Sequence, residues 1–175
     1  NSLKDTKSIH TALKAIFESF DLSISQLIID EESKEYQACS FNLGETRIIY
    51  RHAKVTPKKV GQFVTLWKRS PEGPIQPYDS SDDFDLVVIS TKDGLNSGQF
   101  VFPKKVLTEK GILTHLLKEG KRGFRVYPPW AVTTSKQAQK TQQWQLAFFH
   151  DPWKIDLDNP TSIYSKLNSG TGRPF

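Results

Sequence analysis

The longest uninterrupted apolar runs in this chain are only a few residues long. Leu86-Val87-Val88-Ile89 is an example, far short of the roughly 20 residues that a membrane-spanning helix needs. The apolar side chains must therefore leave water by packing on one another, and the stretch 84–90 reads as a buried strand. With 175 residues, 37% of them hydrophobic, the chain is long enough to bury one sizeable core. One domain over 1–150 and a tail over 151–175, anchored by Trp153, are expected. No charged-then-apolar leader opens the sequence, so no membrane partner is expected. The single Cys39 excludes an internal disulfide framework and a cysteine zinc site, which fits a cytoplasmic setting.

Periodicity supplies the other elements. Asp5 or Thr6 can cap a first helix whose stripe is Ile9, Ala12, Leu13, Ile16, Phe17 and Phe20. Strand-like runs over 36–43 and 46–54 flank Asn42-Leu43-Gly44-Glu45, which suits a hairpin. Thr56-Pro57 then reads as a helix start, and Val60, Phe63, Val64 and Trp67 as its apolar stripe as far as Arg69. Residues 70–81 have loop chemistry, and 98–103 pair with 84–90 across a turn. A helix over 104–117 is expected to break near Gly111. A short strand over 123–127 ends at Pro128-Pro129, and Ser135 caps a last helix running through Phe149. This order predicts a single-domain α/β sandwich with a mixed sheet flanked by helices.

The net charge of +5 conceals an uneven distribution. Residues 47–69 carry seven basic side chains and no acidic one, whereas 1–46 sum to −4 and 70–98 to −5. Alternation along the second strand puts Tyr50, His52 and Lys54 on one face and Ile49, Arg51 and Ala53 on the other. Lys54 leads at once into the expected helix, whose polar stripe is Lys58, Gln62, Thr65 and Arg69. A lysine facing such a stripe can grip a phosphodiester; a solvated helix face has the same pattern.

A second cluster is Arg125, Tyr127 and Trp130, the last stiffened by the two prolines. An arginine beside a fixed aromatic can stack on a base or clamp a carboxylate, and Gln142 with its neighbouring glutamines can satisfy backbone groups or read a polar ligand. His10, His52, His115 and His150 lack metal-ligand spacing. Cys39, between apolar neighbours, reads as a packed thiol.

Four stretches are similar to the MepB-like proteins, a bacterial family named after a product of a multidrug-efflux locus: Tyr50–Arg69, Gly98–Lys104, Arg125–Trp130, and Gln137-Ala138 through Trp144-Gln145. The resemblance implies a restriction-endonuclease-like topology of the PD-(D/E)XK type. Transferred residue by residue, it places Glu35 at the first acidic position, Lys54 at the lysine and Gln62 at the assisting glutamine, with Glu18 as a further carboxylate. The position two before Lys54 holds His52 in place of an acid, so the second strand carboxylate is missing. If such a site cuts, it is a metal-dependent nuclease using Mg2+ or Mn2+. The implied function is nucleic-acid binding, with Arg51, Lys58 and Arg69 on phosphates and the metal on Glu35 with His52 or Glu18. A small-molecule or regulatory module without catalysis, with a pocket at Arg125, Tyr127, Trp130 and Gln142, is the alternative. A third is an inert protein whose basic segment meets an acidic partner.

Overall fold

The computed structural model describes residues 24–151; the expected first helix with Glu18, and the expected tail with Trp153, lie outside them. Its frame is a mixed six-stranded sheet. β1 (Ile24–Ile29), β2 (Cys39–Leu43) and β3 (Thr46–His52) form an antiparallel meander. β8 (Leu86–Asp93) then joins β3 in parallel, followed by antiparallel β9 (Asn96–Pro103) and β11 (Phe149–His150). The β2–β3 turn has Gly44 at φ +62°, a conformation glycine adopts without a Cβ penalty.

Both faces of this sheet are buried, which is why β8 reads as a continuous apolar run. Cys39, Phe41, Ile48, Tyr50 and Val88 pack on one face. On the other, Ile49, Val87, Ile89, Phe100 and Phe102 meet a three-stranded sheet made of β4 (Lys54–Val55), β5 (Gln62–Thr65) and β10 (Gly123–Val126). Helix α1 (Lys104–Glu109) follows β9, and α2 (Lys136–Leu146) brings Trp144 to 5.5 Å from the Phe102 ring. Burying each such ring is worth about 1.5–3 kcal/mol. β6 (Trp67–Arg69) and β7 (Ile75–Pro77) form a separate hairpin.

The expected helix over 56–69 is corrected: the chain makes a turn and then β5 and β6. Gln62, Val64 and Leu66 are buried while their neighbours are half-buried, an alternation of two that overrides the i, i+3, i+4 reading. Gly61, at φ +82°, ends the turn, and a Cβ there would stand 2.7 Å from the Tyr127 ring. β10 supplies the ladder, pairing Val126 with Gln62 and Gly123 with Thr65. The expected helix over 104–117 stops at Glu109, before Gly111 at φ +71°. Ser135 does cap α2, its Oγ accepting from the Ala138 N–H at 3.1 Å.

Candidate functional site

Most cations of the basic segment 47–69 are consumed inside the molecule. Arg47 donates to Gln26 O, Asn42 Oδ1 and Ser40 Oγ at 3.0, 3.1 and 2.7 Å, tying β1, β2 and β3 together. Lys54 Nζ donates to Glu35 Oε2 at 2.8 Å and stands 4.9 Å from the Tyr36 ring centre. Arg69 bridges both Glu32 oxygens and reaches Gly73 O. Lys68 binds Asp82 at 2.6 Å. Asp82 apart, the acids come from a 3₁₀ segment, Glu31–Tyr36, and its cap Asp30, directly after β1. Arg69 beside Glu32 holds that carboxyl below the usual carboxylate range and raises its own pKa in turn. Lys58 and Lys59, in the exposed 56–61 turn, and Arg47, which bonds neutral oxygens, have no carboxylate partner for their side chains among the described residues.

The predicted site residues therefore part company. Glu35 and Lys54 do meet, on the surface. His52 is half-buried with Nδ1 2.9 Å from Ala53 O, a contact that makes Nδ1 the protonated nitrogen. Gln62 sits on a strand, 2% exposed, its Nε2 donating to Lys92 O at 3.3 Å and its Oε1 without a partner. Arg51 is corrected outright as a surface phosphate contact. Its side chain lies in the core, 1% exposed, with Nη1 donating to Tyr50 O and Nη2 3.8 Å from Asp30 Oδ2. Arg51 lies in the part of β3, Ile48–Arg51, whose side chains are buried on both faces, and so has no route to solvent. Burial raises the Cys39 thiol to about 12, which makes it a packed, unreactive group.

A divalent metal of the magnesium type needs several oxygen ligands in one place. Among the described residues no three His, Cys, Asp or Glu side chains come together to hold one, and the carboxylate of Glu35 already faces Lys54. The residues described do not fit the ion, and no cleavage step is derived through it.

A different cluster converges at β10. A cavity of about 330 Å³ is lined by Lys110, Lys121, Arg125, Tyr127, Thr141 and Trp144, with Gln137 and Gln145 also on its wall. Among the described residues no carboxylate lines it. Arg125 donates to the neutral oxygens Thr56 Oγ1 at 2.6 Å, Val60 O at 3.2 Å and Gly61 O at 3.4 Å. It has no carboxylate partner among the described residues while it fixes the turn that carries Lys58 and Lys59. Lys110 lies 5.4 Å from the Trp144 ring. Gln145 is completely buried; its Nε2 donates to Arg125 O at 2.9 Å and its Oε1 accepts from the Tyr127 N–H at 2.8 Å. A larger cavity, about 430 Å³, lies at Ser80, Phe84 and Lys104, but Asp85 and Glu109 share its wall, so it has no single sign of charge.

Of the predicted pocket residues, Arg125 and Tyr127 line the smaller cavity. Trp130 instead packs edge-on to Phe149 at 5.9 Å. Gln142 holds the loop before α2 through Pro128 O and Ala131 O. Lys110 and Lys121 were missed. They stand on separate segments, and no spacing in the sequence joins them to Arg125.

The MepB-like family profile matches residues 30–151. The crystal structure of MepB is 38% identical, with a TM-score of 0.72 over 80% of this chain and 93% of that one. A bacterial homing endonuclease is 13% identical, with a TM-score of 0.45 over 85% of this chain and 93% of the other. Among curated proteins no match is found.

Proposed function

The chain belongs to the MepB-like family, and from that premise we propose that it binds nucleic acid through the cationic face around β10, on a restriction-endonuclease-like frame. The observation that carries the proposal is the cavity wall of Lys110, Lys121 and Arg125, which no carboxylate of the described residues shares. Arg125 and Tyr127 join that wall to the turn bearing Lys58 and Lys59, so the two positive surfaces are continuous. Phosphates are attracted to such a face, and glutamine and threonine groups offer directed hydrogen bonds beside them. The β1–β2–β3 meander with β8 added in parallel supports the nuclease-like frame. A cytoplasmic setting belongs to the same proposal. Catalysis at Glu35 and Lys54 is not part of it.

Fluorescence anisotropy with labelled single-stranded and duplex oligonucleotides tests the reading. Affinity should fall linearly on a log–log salt plot, and Lys110→Ala with Lys121→Ala should flatten the slope by about 0.7–0.9 per lysine. No salt-dependent association between about 50 and 200 mM salt would overturn it. A small anionic ligand is the second reading, favoured by the cavity's volume of about 330 Å³, within the range of small-molecule pockets. Such a ligand should quench or shift Trp144 fluorescence with little response to salt.

A further inference from the structure

Two adjacent leucines stand in water beside the cationic cavity. Leu116 is 84% exposed and Leu117 fully so. They occupy the corners of a tight turn closed by a reciprocal pair of hydrogen bonds, His115 N–H to Lys118 O and Lys118 N–H to His115 O, both 3.0 Å. Leu116 has φ +54°, where turn chemistry favours Gly, Asn or Asp and a leucine is strained. The pedestal below is well tied. The Thr114 N–H donates to Tyr78 O, the Ser80 N–H to Thr114 O, and the Gly120 N–H to Thr114 Oγ1. His115 Nδ1 lies 2.7 Å from Ser80 Oγ. Gly120 fits only because it lacks a Cβ, whose place is filled by Ile112 O and Thr114 N.

The turn is therefore a firm projection that holds a leucine in a disfavoured conformation with nothing packed on it, a pattern in which strain marks function. Its neighbours say what would meet it. The Lys121 N–H donates to Ile112 O, and both residues line the cavity. The Lys118 ammonium lies over Gly111, next in sequence to the cavity's Lys110. Glu119, the carboxylate of the turn, is paired with Arg122 at 2.9 Å.

We propose that Leu116 and Leu117 form a wedge that enters a base step of the nucleic acid whose backbone lies along Lys110, Lys118 and Lys121. The proposal rests on the nucleic-acid reading above. Apolar side chains flanked by basic ones part stacked bases in this manner, the phosphate contacts supplying the affinity and the wedge the deformation.

Duplex oligonucleotides carrying 2-aminopurine at successive positions provide the test. Saturating wild-type protein should raise the fluorescence at one or two positions. The variant Leu116→Asn with Leu117→Ser should lose that rise while keeping the wild-type salt slope. Asparagine tolerates the left-handed conformation, so thermal unfolding should show a melting temperature equal to or above the wild type. A lower one would mean that the leucines serve the fold and would overturn the wedge. Binding without a fluorescence rise, or a rise that survives in the variant, overturns the wedge and leaves the nucleic-acid reading standing. Absence of any salt-dependent binding by the wild type removes both. Leucine-dependent flotation with vesicles of anionic phospholipid would assign the tip to a lipid surface and overturn the proposal.

Discussion

Residues 47–69 and 104–125 each carry seven basic side chains, yet they present opposite surfaces. The first segment has no acid of its own, but the fold lays the acidic 30–35 stretch and Asp82 against it, and four of its cations pair with them. The second contains Glu109 and Glu119 and still leaves Lys110 and Lys121 on a cavity wall that no carboxylate of the described residues shares. Charge density along a chain is thus a poor guide to surface potential. Ladder pairing decides which charges meet, and the more basic-looking segment is the more neutralised one.

The comparison can be broken at its support. Gln145→Ala should leave the Tyr127 N–H and the Arg125 carbonyl unpaired in a buried position, at about 1–3 kcal/mol for each group. Urea unfolding should show a loss of about 2–6 kcal/mol and, where the variant still folds, a weaker interaction with polyanions. Stability equal to the wild type would mean that Gln145 does not hold the cavity wall. Lys54→Ala gives the contrast. An exposed ion pair contributes only about 0.2–1 kcal/mol, and because this lysine already faces Glu35 the salt slope for nucleic acid should not change. A flatter slope in Lys54→Ala would move the binding face back to the basic segment. The smallest effect concerns pH. The Glu32 carboxyl is lowered by Arg69, so its contribution is present above the ordinary carboxylate range and lost as pH falls through the lowered value. Glu32→Gln should remove that component from the acid limb of a thermal stability profile and leave the neutral region almost unaltered.

Local chemistry was legible in the sequence wherever it decides the structure. The β2–β3 hairpin at Gly44, the β8–β9 hairpin, the strand ended by Pro128-Pro129 and the helix start at Ser135 stand where turn and cap residues put them, whereas that helix, expected through Phe149, stops at Leu146 and Phe149 enters β11. The stretch 56–69 was misread because its apolar residues satisfy both periods. The deciding partner, β10, lies some 60 residues away in the chain, and long-range pairing overrides local propensity. Glu35 and Lys54, which the family resemblance places in one site, meet from the 3₁₀ segment and β4. The cavity was legible only through Arg125 and Tyr127, since Lys110 and Lys121 reach its wall from segments between α1 and β10 and Gln137, Thr141 and Trp144 reach it from α2.

The amide of Gln145 has one further consequence. The three-stranded sheet ends at β10, and an unpaired strand edge invites another chain to dock and extend the sheet. One side chain here occupies the hydrogen-bonding positions of a missing neighbour, accepting from Tyr127 and donating to Arg125. The residue that completes the cavity wall thereby also occupies this edge of the three-stranded sheet.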